Sequence, residues 1–500
     1  MLNNIKAATK DTLIYSLGNI SSKIIGLVLL PLYTERLTIE EYGVLGTVEI
    51  TIQILVAAFG MALVRALNRW YWDRQYRDKQ GSIFFTVLVS LFFFALMMVI
   101  VFSPFTNTMA CALLDSSKYT YLFNLLLICA ALQIISRGVL SLIRLQRKPI
   151  LFTTTNVLKL AVTLGLTIYF IVGLERGVEG VFEAQGLGFL FFILINLRLI
   201  IRHSRPVFEI AIFKEMVRFS YPLALSSISS VLLTVTDRYV IRYIDGMDAM
   251  GLYSAGFKIA NVLKVFLINS LNSALMPLKY QMMDKPNNKR FYSKLMTYSA
   301  FVFIVFLLFL SLYSEELLKL LAKKSAFWAA YQFVPILCFA QFFELLRMNS
   351  TFGLVVMKKT KIVSIILILV SLISIGLNVL LIQYFGTIGA AVATMLAQGL
   401  FFGLIYHYAQ KYYYIPYELK KIAMMGTVAV IIIVISNVGL NSLELLPRIL
   451  FKLLLIIFFP VALYFLKFYE SIELVRLKES WYKWKDPRKW KKNLRQMKIK

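Results

Sequence analysis

Apolar runs of roughly 20 residues alternate with short polar breaks along the whole chain. The pattern predicts about 14 membrane-spanning helices. They are expected at 11–33, 42–67, 83–103, 119–142, 150–172, 178–199, 216–241, 251–278, 292–313, 327–352, 362–384, 388–408, 419–438 and 445–468. No stretch remains that would make a sizeable soluble domain. The first apolar run is too long for a cleavable signal peptide, and no small-residue cleavage site follows it. One residue interrupts that run: in SLGNISSKIIGLVLLPLY, Lys23 falls near the middle. The nearest interface is about 18 Å away at 1.5 Å per residue, which makes snorkelling poor.

Composition agrees with the pattern. Of 500 residues, 59% are hydrophobic and only 16% charged, against roughly 25% charged in soluble domains. The net charge is +28, but most of the 54 lysines and arginines fall in segments on the N-terminal side of the membrane. Clusters there include Arg69, Arg74, Arg77 and Lys79, then Arg198, Arg202 and Arg205, then Lys358, Lys359 and Lys361. The opposite loops are short and often acidic, as at Glu40 and Glu41. This bias places the N-terminus in the cytoplasm, and an even number of spans returns the C-terminus to the same side. The charge is therefore topology and does not point to nucleic acid. The tail from 471 to 500 is the densest basic run, with Trp481, Trp484 and Trp490 among lysines. It reads either as an amphipathic segment on anionic lipid headgroups or as a solvated tail.

Enzyme chemistry finds little support. Cys111, Cys129 and Cys338 have no metal or disulfide spacing, and the two histidines, His203 and His407, lie far from them in expected loops. No GxxxxGK phosphate loop and no Ser-His-Asp set is visible, so neither a metal nor a cofactor is expected. A membrane glycan polymerase or ligase is the enzymatic alternative. It would be expected to carry a large external loop, and the external loops here are short.

The chain repeats itself. EEYGVLGTVEI follows the first span and DAMGLYSAGFK the seventh, so that Gly43 pairs with Gly251, 208 residues on. GVEGVFEAQ and GTIGAAVATMLAQ pair Gly177 with Gly386 and Gly180 with Gly389 at an offset of 209. Arg137 and Arg347 correspond at 210. The expected fold is an all-α polytopic membrane protein of two pseudo-symmetric six-helix lobes, 1–210 and 211–415. Two further helices occupy 416–470. Both halves have the same orientation, so the axis relating them runs along the membrane normal with a substrate path between them.

Three stretches, LTIEEYGVLG at 37–46, TDRYVIRYIDGMDAMGLYSAGFKIA at 236–260 and YFGTIGAAVATMLAQ at 384–398, resemble the Wzx-like polysaccharide and O-antigen flippases. That family belongs to a superfamily shared with multidrug exporters and the peptidoglycan lipid flippase. The resemblance runs over essentially the whole chain. It implies a multi-pass protein of the bacterial cytoplasmic membrane that moves undecaprenyl-pyrophosphate-linked oligosaccharide to the outer leaflet for surface polysaccharide. Its partners would be that substrate, membrane lipids and other polysaccharide-assembly proteins, with the chain itself a monomer. A cation-coupled drug or metabolite exporter of the same superfamily is the alternative.

A pyrophosphate and a hydrated glycan need a polar, water-filled path with fixed positive charge, and ionisable groups within spans usually face such a path or one another. The basic residues placed inside spans are Lys23, Arg65, Arg137, Lys159, Arg238, Lys258, Lys264, Arg347 and Lys452. The acidic ones are mainly Glu49, Asp237 and Glu344. The excess is positive, which suits an anionic cargo. The resemblance implies that the first two helices of each half line the cleft. Substrate-binding cations are then expected at Lys23, Lys258, Lys264 and Arg238, and polar lining at Asn19, Gln53 and Asn261. Glu49 and Asp237 are expected to couple or to pair: Lys23 either lines the cavity or pairs with Glu49, and Asp237 forms a local pair with Arg238. Arg65 and Lys452, near span ends, are expected to snorkel. Arg137 and Arg347 either hold helix ends or draw phosphates to the inner mouth.

Overall fold

The computed structural model describes residues 26, 28–283, 285–439, 444–471 and 473–475. Asn19, Lys23, most of the first expected span and most of the basic tail lie outside the described residues. No strand occurs among the described residues, and twelve stretches are long and apolar enough to cross a membrane.

The principal helices are α1 (Leu30–Arg36), α2 (Ile39–Phe59), α3 (Leu63–Trp70), α4 (Gln80–Phe102), α5 (Thr120–Leu145), α6 (Pro149–Ile168) and α7 (Gly177–Ile195). They continue with α8 (Ile210–Ile244), α9 (Met247–Leu263), α10 (Asn269–Gln281), α11 (Asn288–Leu312) and α12 (Ser314–Leu321). The last four are α13 (Val334–Val356), α14 (Thr360–Tyr412), α15 (Leu419–Gly439) and α16 (Leu445–Phe465). The first lobe forms as α4, α5, α6 and α7 pack together with α2 against α5. The second lobe packs α8, α13 and α14 together, with α9 and α11 against α13. The last two helices, α15 and α16, sit against α11.

Helix α14 holds two of the expected spans. Its 53 residues would run about 80 Å as one helix, against a hydrocarbon core of about 30 Å. The run breaks at Gly386, with φ 56° and ψ −144°, a conformation that a side chain resists. The two arms then approach so closely that a Cβ on Gly389 would lie 2.0 Å from the Leu381 carbonyl oxygen. In the first lobe the repeated glycine Gly177 has φ 57° at the start of α7. The sequence repeat is thus a repeat of backbone conformation.

The start of α2 follows from its sequence. In LTIEEYGVLG the Thr38 hydroxyl accepts from the Glu41 N–H at 3.1 Å, and the Glu41 carboxylate accepts from the Thr38 N–H at 2.8 Å. This reciprocal cap places Gly43 one turn into the helix, where it meets the second lobe. A Cβ on Gly43 would lie 2.3 Å from the Met247 carbonyl oxygen, and one on Gly251 would lie 2.2 Å from that of Ile39. Met247 and Gly251 are Ile39 and Gly43 displaced by 208. The contact is therefore reciprocal, as on a two-fold axis. Gly46 extends it by facing its own counterpart, Ser254.

One expectation fails near the C-terminus. Lys452 does not snorkel: it is 5% exposed and its Nζ lies 2.7 Å from Glu316 Oε1 on α12.

Candidate functional site

The lobes diverge from the α2–α9 contact and enclose three polar compartments. Their walls come from α2, α8 and α9 and also from α3, α4, α5, α13 and α14. Gln53 of α2 lines all three, so they meet at its side chain.

Glu49, Gln53, Arg238, Lys258 and Asn261 all line the smallest compartment, of about 190 Å³. The Lys258 ammonium lies 3.4 Å from Glu49 Oε1 and 4.9 Å from the Tyr42 ring centroid. Glu49 thus takes Lys258 of the second lobe as its partner among the described residues.

The second compartment, about 310 Å³, lies against the second lobe and includes Lys264, Glu344, Gln341, Thr394 and Gln398. Six residues separate Lys258 from Lys264, which turns them about 240° apart on a helix and into different compartments. Lys264 lies 2.8 Å from Glu344, which also holds Arg347 of its own helix at 3.5 Å. Arg238 lines both of these compartments. It donates to the Thr234 carbonyl at 2.5 Å, lies 3.6 Å from Asp237 and covers the Phe257 ring at 4.2 Å. Asp237 lies behind the wall, accepting from the Tyr253 hydroxyl at 2.8 Å.

The largest compartment, about 550 Å³, belongs mainly to the first lobe. Arg65, Arg137 and Arg144 line it with Asn68 and Ser141, and no carboxylate is among its lining residues. All three arginines are exposed to solvent. Among the described residues, Arg65 and Arg137 have no ion pair. The repeat explains the difference between the lobes. At the offset of 210 that pairs Arg137 with Arg347, Glu344 corresponds to Ile134, so an apolar residue stands in the first lobe where the second has that acid. Sequence reasoning sets Arg65 aside as a snorkelling residue, leaves Arg137 between two roles and misses Arg144. The signal is present all the same: Arg137, Ser141 and Arg144 recur at i, i+4 and i+7 and form one stripe on α5.

Across the three compartments, six cations (Arg65, Arg137, Arg144, Arg238, Lys258 and Lys264) face two carboxylates (Glu49 and Glu344). Such a wall attracts an anion and repels a cation. Lys159 takes no part in it and packs its ammonium 4.0 Å from the Phe189 ring centroid inside the first lobe. Among the described residues no group of His, Cys, Asp or Glu is placed to hold a metal ion.

The model of the polysaccharide biosynthesis protein family matches residues 8–283, more than half of the chain. The chain belongs to the polysaccharide biosynthesis protein family. The MatE family model also matches, over residues 222–380. Against curated protein sequences the chain finds no match. Among solved structures, this polysaccharide biosynthesis protein is similar to the lipid II flippase MurJ in an inward closed conformation. The TM-score is 0.72 at 16% identity, over 90% of this chain and 99% of that one. It is also similar to an inward-facing multidrug resistance MATE family transporter of the MOP superfamily (TM-score 0.65, 15% identity, 81% of this chain and 97% of that one). A third likeness is to an outward-facing multidrug resistance MATE family transporter of the same superfamily (TM-score 0.61, 15% identity, 81% and 95%). The fold is that of the MOP-superfamily transporters and flippases, two helical lobes in a multi-pass membrane protein, and no catalytic family is among the matches.

Proposed function

We propose that the chain is a flippase for undecaprenyl-diphosphate-linked oligosaccharide units. It works by alternating access in the bacterial cytoplasmic membrane, with both termini cytoplasmic, and serves surface polysaccharide or O-antigen assembly. The observation that carries this reading is the first-lobe compartment, which Arg65, Arg137 and Arg144 line together and where Arg65 and Arg137 have no ion pair among the described residues. Three guanidinium groups in a cavity between membrane helices suit a diphosphate, which they can bind with paired, charge-assisted hydrogen bonds. The polyprenyl tail needs no such path, since it stays in lipid. Family membership supports a saccharide cargo, and a lipid II flippase among the structural neighbours supports a lipid-linked one.

The rival is a cation-coupled exporter, which the likeness to MATE transporters keeps in view. It requires carboxylates available to a proton, a sodium ion or a cationic drug. Here Glu49 and Glu344 are each engaged by lysine, and Asp237 by Arg238 and Tyr253. The two readings part in proteoliposomes. We expect the purified chain to move a fluorescent undecaprenyl-diphosphate oligosaccharide between leaflets and to leave a cationic dye where it is. Transport of the dye alone would overturn the proposal.

A further inference from the structure

The end of the molecule where α2 meets α9 is closed by more than glycines. Arg242, in the last turn of α8, reaches the first-lobe helix Thr106–Leu114. Its Nε donates to the Leu113 carbonyl at 3.0 Å, and its guanidinium pairs with the Asp115 carboxylate. Asp115 ends that helix in a left-handed conformation, φ 52°. A second contact runs the other way. The segment that follows α12 meets the end of α1. There the Lys323 N–H donates to the Thr34 hydroxyl at 3.1 Å, and the Lys324 ammonium donates to the Leu37 carbonyl at 2.7 Å. In both contacts a cation from one half of the chain sits at the C-terminus of a helix from the other. Carbonyls there lack intrahelical donors and carry the negative end of the helix dipole. The two contacts are one contact repeated. The offset of 208 that pairs Gly43 with Gly251 takes Thr34 to Arg242 and Asp115 to Lys323. It also takes Ser117 to Ser325, and a 3₁₀ helix begins at each. Thr34 meets Lys323 and Arg242 meets Asp115, so each pair is the two-fold mate of the other.

We propose that these contacts are paired latches that hold this end of the molecule shut, and that the Arg242–Asp115 latch sets how often it opens. The assignment of this end to the outer face of the membrane rests on the topology of the flippase reading above. Donor and acceptor belong to opposite halves in both latches, so a motion that parts the lobes here breaks them together. The mates differ in strength. Lys323 and Lys324 meet a neutral hydroxyl and a neutral carbonyl, whereas Arg242 meets a carboxylate as well as a carbonyl. Charge on both partners makes the second the stronger. Opening also takes Arg242, only 7% exposed, away from both its acceptors. None of these residues lines any of the three compartments, so the latches act without touching cargo.

The test is labelling of the full chain in membrane vesicles by a membrane-impermeant maleimide. Cys111, which is exposed, is replaced by serine, and Ser230→Cys in the first-lobe compartment is the reporter. Cys129 and Cys338 are buried and take label only if the chain unfolds. In right-side-out vesicles Asp115→Asn and Arg242→Gln should each raise the rate of reporter labelling about fivefold over the parent. The double variant should go no further, because both changes remove one interaction. Thr34→Val, at the weaker mate, should raise it less. Parent rates in both single variants overturn the proposal. So does a double variant in which the two increases multiply, or a Thr34→Val that outdoes Asp115→Asn. If Arg242→Gln also labels Cys129 or Cys338, it has unfolded. Asp115→Asn then decides alone, since the Asp115 side chain is 77% exposed and its loss leaves the packing intact. Faster labelling of the variants only in inside-out vesicles keeps the latches and overturns the topology of the flippase reading. No transport is measured, so failure of the chain to flip lipid-linked oligosaccharide overturns that reading and leaves this result standing.

Discussion

Lys258 and Arg137 are both cations inside membrane spans, yet they stand in opposite situations. Lys258 is 3.4 Å from Glu49, with Tyr42 beside it, and removing the acid would leave an ammonium without its counter-charge. We expect Glu49→Gln to cost roughly 2 kcal/mol of stability, less than the roughly 3–5 kcal/mol of a dry pair, because cavity water reaches both groups. The double variant Glu49→Gln, Lys258→Met should recover most of that loss in a thermal melt. Recovery would mark the pair as structural; a stable double variant that still transports would show that Lys258 does not hold the cargo. Arg137, without an ion pair among the described residues, should behave in the reverse way: Arg137→Gln keeps or raises the melting temperature while transport falls. At this scale the sequence is half legible. Charges inside spans can be read off it, and Gln53 and Asn261 can be placed on helix faces. Partners cannot. Lys258 reaches Glu49 across the lobe boundary, and no periodicity within one helix reports such a contact. Arg65 is set aside and Arg137 left between two roles because nearness to a span end says nothing about which side of the helix faces a cavity.

Helices α2 and α9 carry the repeat most plainly. Their glycine contacts allow backbones to touch, and the Thr47 hydroxyl lies 3.0 Å from the Met250 sulfur across the lobe boundary. If alternating access separates the lobes at this end, tying them should stop it. We expect Thr47→Cys with Met250→Cys to cross-link on oxidation, to lose transport and to regain it on reduction. Full transport in the cross-linked protein would show that this contact stays closed throughout the cycle. The element scale is the most legible in sequence, since glycine offsets and apolar runs both survive translation into backbone. Gly386 stands as a landmark between two expected spans, and it is the residue that breaks α14. The exception is Lys452, whose partner Glu316 lies on a short helix, α12, outside the expected spans.

At the scale of the molecule, the last two helices are secured to the second lobe by charge. Lys294 of α11 lies 2.9 Å from Glu418 and 2.5 Å from Glu470, and Lys421 lies 3.1 Å from Glu418. Burial alone would raise the Glu418 carboxyl, but hydrogen bonds from Lys294, Thr297 and Lys421 hold it below the usual glutamate value of 4.5. A carboxyl lowered in the folded state stabilises it above that usual value, and the contribution is lost as pH falls through the folded value. The melting temperature of wild type should therefore drop between about pH 5 and pH 3 by more than that of Glu418→Gln. Equal drops would show that this cluster does not anchor the helix pair. Composition and charge bias make the multi-pass class legible in the sequence. The asymmetry between the lobes is hidden there, since it depends on Ile134 standing where the repeat has Glu344, next to Arg137.

The central claim is that the first-lobe arginines hold the diphosphate. The most direct measurement is the rate at which proteoliposomes containing wild type, Arg65→Gln, Arg137→Gln or Arg144→Gln flip undecaprenyl-diphosphate oligosaccharide, at matched amounts of folded protein. The account predicts a loss of at least about tenfold for Arg137→Gln, equivalent to about 1.4 kcal/mol, with comparable losses for the other two. Wild-type rates in all three variants would contradict it.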